Sequence, residues 1–207
     1  MFDLGPNSCV IDVGAFLGET SKELCKSAGA DPKNFFLIEP HPGNFDVLQR
    51  NMPGYNLHNI AISDHDGEEE LFFDLNYTNA TSMWREMPAG KGGAVGSFKV
   101  LCKTMDTFVK DLGCIDLMMV NAEGAEFKLF AGSTRFLSKV NCLAIHFHGK
   151  RECFKSKRDD KRMIMDLLGS AGLVFVDGVH PDSIEDVEKK SHMRQVWKRD
   201  NRNGNRP

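Results

Sequence analysis

Residues 10–20 of the chain read Val-Ile-Asp-Val-Gly-Ala-Phe-Leu-Gly-Glu-Thr, an apolar run that ends in a glycine-containing turn. The apolar residues at its start are typical of a strand that is buried on both faces. Gly14 and Gly18 allow a tight turn and a close approach of the backbone to a ligand. Thr20 and Glu23 have the spacing of a capping box, which predicts that a helix begins near Thr20. Together these features predict the first unit of a nucleotide-binding α/β fold.

The spacing of the two glycines distinguishes between nucleotide cofactors. A dinucleotide fingerprint has the pattern G-x-G-x-x-G, but Phe16 stands where the second glycine is needed. Glu19 adds a negative charge where a dinucleotide would place its phosphates, whereas S-adenosylmethionine carries a positive sulfonium and a positive ammonium group. Glu19 also has a simpler interpretation, as an ordinary favourable charge at a helix N-terminus. The turn as a whole favours S-adenosylmethionine.

A second buried strand is predicted over residues 34–38, and it ends at Glu39-Pro40-His41-Pro42. Glu39 lies 39 − 18 = 21 positions beyond Gly18. This is close to the interval of about 20 at which an acid at the end of the second strand reaches a ribose diol. A carboxylate accepts hydrogen bonds from both ribose hydroxyls, so we predict that Glu39 binds the ribose.

The rest of the chain continues to alternate between strand and helix patterns. Further strands are predicted over residues 55–63, 69–75, 98–103, 114–120, 140–147, 173–176 and 193–198, and the last clear helix over residues 159–170. Ligands of an open α/β sheet bind at the carboxyl ends of the strands, so Asp12, Glu39, Asp64 and Asn121 are expected to converge on one crevice. Asp64 is a candidate acceptor for the adenine amine, or simply part of a turn. Residues 76–97 are predicted to form a mobile loop on the substrate side, or a flexible insertion.

Size and composition predict one soluble domain. The 207 residues are 41% hydrophobic and 27% charged, and we assign residues 1–199 to the domain and residues 200–207 to a disordered tail. The formal net charge of −3 argues against a surface built for nucleic acid, and the basic run at residues 150–162 is either an anion-attracting segment or a solvated face. The sequence contains no membrane-spanning run and no secretory signal, and its six cysteines lack C-x-x-C pairs. We therefore expect a cytoplasmic protein with reduced thiols and no metal, and the sequence leaves its oligomeric state open.

Five motifs, in order along the chain, resemble those of the FkbM-type family of S-adenosylmethionine-dependent methyltransferases. They are Asp12-Val13-Gly14-Ala15-Phe16-Leu17-Gly18, Glu39-Pro40-His41-Pro42, Ala61-Ile62-Ser63-Asp64, Lys103-Thr104-Met105-Asp106-Thr107-Phe108 and Asn121-Ala122-Glu123-Gly124-Ala125-Glu126. The resemblance implies the class I methyltransferase fold, a Rossmann-like three-layer α/β sandwich around a seven-stranded, mostly parallel sheet with an antiparallel last strand. It also implies an enzyme that methylates a hydroxyl group of a sugar or another small molecule.

The motifs assign the candidate site residues. The cofactor contacts are predicted at Asp12, Gly14, Ala15, Gly18, Thr20, Glu39, Pro40, Ile62, Asp64 and Asn121. We predict that Asn121 orients the acceptor hydroxyl and that Glu123 or His148 accepts its proton. Asn and Glu are also common at helix N-termini, and His148 is equally well explained as a hydrogen-bonded structural histidine.

The chain also departs from the family pattern close to these residues. Met119-Val120-Asn121 stands where the family usually has Lys-Ile-Asp, and His146 stands where it usually has a glutamate. The alternative to an active enzyme is therefore a catalytically weak or inactive S-adenosylmethionine-binding module. A third interpretation, nucleic-acid methylation, lacks an N-P-P-Y-like motif and the aromatic residues expected of a single-strand binder.

Overall fold

The computed structural model describes residues 2–74, 77–82, 95–148, 157–178 and 192–200. Its strands are β1 (Val10–Val13), β2 (Phe35–Ile38), β3 (Asn56–His58), β4 (Ala61–Ile62), β5 (Gly67–Asp74), β6 (Tyr77–Ser82), β7 (Val95–Lys103), β8 (Leu117–Val120), β9 (Cys142–His148), β10 (Leu173–Gly178) and β11 (His192–Arg199). Its α-helices are α1 (Glu19–Ala28), α2 (Pro42–Asn51), α3 (Met105–Phe108), α4 (Glu126–Ala131) and α5 (Lys157–Ser170), and short 3₁₀ helices span Pro32–Asn34 and Arg135–Lys139.

The main sheet has seven strands in the order β10-β11-β9-β8-β1-β2-β3. Strand β1 lies inside the sheet and pairs in parallel with β2 on one side and with β8 on the other. Strand β11 runs antiparallel to both of its neighbours, β9 and β10. This topology confirms the predicted seven-stranded, mostly parallel sheet with an antiparallel last strand.

The two faces of the main sheet bury two separate apolar clusters. Val10 and Ile11 are both fully buried and lie in different clusters, because successive side chains of a strand point to opposite faces. One cluster includes Leu129 of α4 and Ile164 of α5, and the other includes Leu48 of α2. Helices therefore cover both faces of the sheet, as expected of a three-layer sandwich.

A second, four-stranded sheet is formed by β4-β7-β5-β6. It corrects the prediction of a single strand over residues 55–63, because β3 belongs to the main sheet whereas β4 pairs in parallel with β7. Asn59 lies between the two strands, and its amide donates hydrogen bonds to the carbonyl oxygens of Glu39 (2.9 Å) and Pro40 (3.1 Å). These bonds fix residue 59 beside the end of β2, at the point where the chain passes from the main sheet to the second sheet.

The first helix begins one residue earlier than predicted, at Glu19. Its N-cap is Gly18, with a φ of 85° and no side-chain cap, so the capping-box prediction for Thr20 and Glu23 is wrong. A Cβ atom on Gly18 would lie 2.6 Å from Cγ of Met52 and 2.8 Å from Cδ1 of Leu48. Gly18 is therefore required both for its left-handed backbone and for the close contact between the start of α1 and helix α2.

The segment predicted as a loop over residues 76–97 contains β6 and the start of β7, and its residues 76 and 83–94 lie outside the described part of the chain. At the C-terminus the backbone N–H of Asp200 still donates to the carbonyl of Gly172 at 3.0 Å. Residues 201–207 of the predicted tail also lie outside the described residues.

Candidate active site

Glu39 lies at the carboxyl end of β2 and is 5% exposed. Its Oε2 accepts a hydrogen bond from the backbone N–H of Phe16 at 3.0 Å. Its Oε1 accepts from the N–H of His41 at 3.0 Å and from the side-chain amide of Asn44 at 3.3 Å. Burial raises the pKa of Glu39 to about 7, although these three hydrogen bonds lower it. The carboxyl group is thus held in one orientation beside the glycine turn.

A first cavity of about 210 Å³ opens beside Glu39. Most of its polar groups come from the ends of main-sheet strands and from the start of α2. Much of its apolar wall comes from the second sheet and from Ile60, the residue before it. The polar lining includes Glu39, Asn44, Asn121 and Glu123, and the apolar lining includes Ile38, Ile60, Ile62 and Leu71. The two sheets therefore enclose this cavity together.

A second cavity of about 360 Å³ lies on the other side of the glycine turn. Its lining includes Asp12, Ala15, Thr20, His146 and Arg194. The two cavities share three lining residues, which are Gly14, Phe16 and Asn121. A single turn of backbone thus separates the two spaces.

The shared wall is tightly packed around Gly14. The N–H groups of Gly14 and Ala15 donate to the carbonyl of Ile38 at 2.9 and 3.0 Å, and the N–H of Asn121 donates to the carbonyl of Val13 at 2.9 Å. A Cβ atom on Gly14 would lie 2.1 Å from the carbonyl oxygen of Asn121. The ends of β1, β2 and β8 therefore meet at a position that only glycine can occupy.

Asp12 is also buried, next to this wall. Its carboxylate accepts a hydrogen bond of 2.6 Å from the hydroxyl of Ser21 in α1. Burial raises the pKa of Asp12 to about 6, against the opposing effect of this hydrogen bond. The contact ties the second half of β1 to the first turn of α1.

His148, at the end of β9, lies between two carboxylates. Its Nδ1 is 2.6 Å from Oε1 of Glu126, and its Nε2 is 3.2 Å from Oε1 of Glu123. Burial lowers the pKa of this imidazole, but the two carboxylates outweigh burial and raise the pKa to about 9. His148 is therefore a positively charged imidazolium at neutral pH, and the ring of His146 stacks on it with centroids 4.7 Å apart.

The structure brings most of the predicted site residues to the two cavities. Gly14, Glu39, Pro40, Ile62, Asn121 and Glu123 line the first cavity, and Asp12, Gly14, Ala15, Thr20 and Asn121 line the second. Gly18 shapes the start of α1 instead of lining a cavity. The side chain of His148 lines neither cavity but contacts Glu123.

Asp64 does not join this group of residues. It is exposed, it lines neither cavity, and its carboxylate lies 2.8 Å from Nδ1 of His65. The four residues therefore do not meet in one crevice. Glu39 and Asn121 line the first cavity, and Asp12 and Asn121 line the second.

Sequence reasoning missed several residues that line the cavities. They are Phe16, Asn44, Leu71, Thr81 and Arg194. Asn44 lies two residues beyond the motif Glu39-Pro40-His41-Pro42, so its proximity to that motif was a usable signal. Leu71, Thr81 and Arg194 reach the cavities through strand pairing over long sequence distances, for which the sequence carried no local pattern.

The parallel sheet and the polar crevice at its carboxyl edge define the class I methyltransferase fold. The chain matches the model of the FkbM methyltransferase domain over residues 12–175. It belongs to the FkbM methyltransferase family, which confirms the predicted family, fold class and S-adenosylmethionine as cofactor.

Solved structures agree with this fold. A methyltransferase FkbM from Methylobacillus flagellatus is 13% identical with a TM-score of 0.58, and the alignment covers 96% of this chain but 45% of that one. A fibrillarin pre-rRNA processing protein from Methanococcus jannaschii is 12% identical with a TM-score of 0.53, covering 96% and 69% of the two chains. TrmK from M. capricolum, solved with S-adenosyl-homocysteine, is 8% identical with a TM-score of 0.50, covering 96% and 65%.

The chain thus spans less than half the length of the FkbM structure that it resembles. A search of curated protein sequences found no match. Among the described residues, no helix is long and apolar enough to cross a membrane.

Proposed function

We propose that the protein transfers a methyl group from S-adenosylmethionine to a hydroxyl group of a sugar or another small molecule. The observation that carries the proposal is the fixed, buried carboxylate of Glu39 at the wall of a cavity that also contains Glu123. The first of these groups suits cofactor binding, and the second suits an acceptor whose hydroxyl must lose a proton.

The residues around the first cavity fit this cofactor. Its described lining contains two glutamates and no lysine or arginine, which suits a ligand with positive charges and no phosphate. Glu39 would accept hydrogen bonds from the ribose hydroxyls, and Ile60, Ile62 and Leu71 offer apolar contacts to an adenine ring. When bound, S-adenosylmethionine supplies a methyl group on a positively charged sulfur atom.

The charge state of His148 supports Glu123 as the base. With its pKa raised to about 9, His148 already carries its proton at neutral pH and has no free lone pair to accept another. Glu123, in contrast, lines the cavity and is held in place by His148 at 3.2 Å. We therefore assign proton acceptance to Glu123 and assign His148, with Glu126 behind it, to the positioning of that carboxylate.

A positively charged neighbour makes Glu123 a weak base, because it stabilises the ionised carboxylate. A weak base suffices when the reacting carbon is already activated by the cofactor, since the protein then mainly positions the acceptor. Asn121 lines both cavities and is exposed, so its amide is available to orient the acceptor hydroxyl between them.

A catalytically weak or inactive binding module is the second candidate. It is favoured by Asn121 itself, which stands at the shared wall of the cavities where the family usually has an aspartate. An amide forms hydrogen bonds but does not take up a proton.

We also propose that the protein acts in the cytoplasm. The five cysteines that the structure describes are free, as expected of a protein in a reducing compartment.

Calorimetry with S-adenosylmethionine and its demethylated product tests cofactor binding. We expect the intact chain to bind both, and we expect Glu39→Ala to weaken binding by roughly 10- to 100-fold, because the two ribose hydroxyls lose their hydrogen-bond acceptor. Glu23→Ala is the matched control, because Glu23 is an exposed glutamate of α1. Thermal unfolding of each variant verifies that it folds, and a failure of the folded intact chain to bind either compound overturns both candidate functions.

Turnover distinguishes the two candidates. The measurement is the release of demethylated cofactor in the presence of a panel of sugars and other hydroxyl-bearing small molecules. An active enzyme predicts release with at least one acceptor, and Glu123→Gln abolishes this release while cofactor affinity stays within a few-fold. Tight cofactor binding without release for any acceptor supports the binding module instead.

A further inference from the structure

We propose that the second sheet carries a Zn²⁺ site formed by His65, Glu69 and Cys102. His65 lies in the turn between β4 and β5, Glu69 lies in β5, and Cys102 lies in β7. The nitrogen, oxygen and sulfur donor atoms of these three side chains all lie within 4.8 Å of one another. Imidazole, carboxylate and thiolate are the three side-chain groups that bind zinc in proteins.

The spacing of the donors suits tetrahedral coordination. Nε2 of His65 and Sγ of Cys102 are 3.6 Å apart. Two ligands at Zn–N and Zn–S distances of about 2.0–2.1 and about 2.3 Å, with a tetrahedral angle between them, are separated by about 3.5 Å. The separation of these two atoms in the structure therefore matches that of two zinc ligands.

The second nitrogen of His65 is arranged as in many zinc sites. Its Nδ1 lies 2.8 Å from Oδ1 of Asp64, so that the carboxylate accepts the Nδ1 proton. This contact leaves Nε2 as the metal-binding nitrogen, and Nε2 lies 3.6 Å from Sγ of Cys102 and 3.4 Å from the carbonyl oxygen of Glu68. A carboxylate behind a metal-binding histidine fixes the tautomer and the ring orientation of that ligand.

Glu69 keeps one oxygen available for the metal. Its Oε2 accepts hydrogen bonds from the hydroxyl of Ser63 at 2.8 Å and from the ammonium of Lys128 at 2.9 Å. Both bonds that the structure gives to this carboxylate go to the same oxygen, so in the proposed site Oε1 would be the zinc ligand. The hydroxyl and the ammonium then hold the ligating carboxylate in place.

The surroundings define the kind of site. Cys102 is 2% exposed, whereas His65 lies on the surface, so solvent reaches the site from the side of His65 and supplies a fourth ligand as water. Zinc would displace the thiol proton of Cys102 and fasten the turn at residues 64–66 to β7. This site is separate from both cavities, whose lining includes none of its three ligands, and the proposal does not depend on methyl transfer.

Zinc titration of the full chain tests the proposal. After incubation with zinc chloride and removal of unbound metal, elemental analysis is expected to find one zinc per chain. Calorimetric titration with zinc chloride is expected to show at least tenfold weaker binding to His65→Ala and Cys102→Ser. Cys25→Ser, which changes another buried cysteine, is the matched control and is expected to bind as the unchanged chain does.

Cobalt provides the second measurement, because a thiolate bound to Co²⁺ gives a charge-transfer absorption band in the near ultraviolet. We expect this band in the unchanged chain and in Cys25→Ser, and we expect Cys102→Ser to lose it. If Cys102→Ser does not fold, as judged by circular dichroism, the exposed His65→Ala decides the outcome. The proposal is overturned if the unchanged chain retains no zinc, or if zinc binding and the cobalt band survive in the folded ligand variants.

Discussion

Gly14 is the residue with the least room at the candidate site. Its φ is 81°, and the missing Cβ atom would lie 2.1 Å from the carbonyl oxygen of Asn121. Asn121 lines both cavities. A side chain at position 14 would therefore push the end of β8 away from β1, at the wall that the two cavities share.

We predict that Gly14→Ala destabilises the chain by roughly 3 kcal/mol or more, because backbone strain at positive φ adds to a clash with the backbone. Gly29→Ala is the matched control, since Gly29 has a φ of 60° but no atom within 4 Å of the position that a Cβ atom would take. Gly29→Ala is expected to cost only about 1–2 kcal/mol for the backbone strain alone. Urea unfolding measures both values, and equal losses for the two variants would contradict the close-approach explanation.

Single residues were predictable where a motif fixed both residue type and position. Gly14 and Glu39 followed from the strand-and-turn pattern, and both line the first cavity. The cap at Thr20 was wrong because the start of α1 is set by a tertiary contact of Gly18 with Met52 and Leu48, which a local pattern does not contain. The charge of His148 was also hidden, since it depends on two carboxylates placed around it by the fold.

Among the elements, the connection between β3 and β4 decides how the two sheets meet. The amide of Asn59 bonds to the carbonyl oxygens of Glu39 and Pro40 at the point where the chain leaves the main sheet. Ile60 and Ile62, on either side of the start of β4, line the first cavity. Asn59 thus links the exit of β2 to the entry into the second sheet.

We predict that Asn59→Ala lowers the free energy of unfolding by about 1–3 kcal/mol, because two partly buried carbonyl groups lose their hydrogen-bond donor. Asn51→Ala is the control, since the Asn51 amide makes a comparable bond of 3.2 Å to the carbonyl of Leu17 at an exposed position. We expect the control to change stability by less than about 0.5 kcal/mol. Chemical denaturation measures the free energy of unfolding of both variants. A similar loss of stability in both would show that the connection between β3 and β4 does not depend on the amide of residue 59.

Elements of the main sheet were predictable because their apolar runs are continuous and end at polar residues. The predicted second strand, for example, differs from β2 by one residue at its start. The apolar pattern of residues 55–63 looked like one strand because a local pattern does not reveal which partner each half pairs with. Pairing of β4 with β7 joins Ala61 to Cys102 and Ile62 to Lys103, about forty positions along the chain.

For the molecule as a whole, the charge of His148 contributes to the pH dependence of folding. The pKa of this imidazole is raised from 6.5 to about 9 in the folded chain. Its stabilising contribution is therefore complete below pH 6.5 and is lost as the pH rises through about 9. The titratable side chains in contact with it include Glu123, Glu126 and His146.

We predict that the unchanged chain loses up to about 3 kcal/mol of stability from His148 between these two pH values, at about 1.4 kcal/mol for each pKa unit. His148→Gln is expected to lack this part of the loss. The difference between the two proteins isolates His148 from Asp12 and Glu39, whose raised pKa values of about 6 and about 7 affect both proteins alike. The measurement is urea unfolding across the pH series, and parallel stability curves for the two proteins would refute the imidazolium assignment.

The second sheet is built from one continuous stretch of chain, residues 61–103, inserted between two strands of the main sheet. It supplies the roof of the first cavity through Ile62 and Leu71, while Gly14, Glu39 and Asn121 supply the floor. The roof residues lie in strands that pair only within the second sheet, whereas the floor residues lie at the ends of paired main-sheet strands. Relatives that act on different acceptors are therefore expected to differ in the side chains of the roof before they differ in the floor.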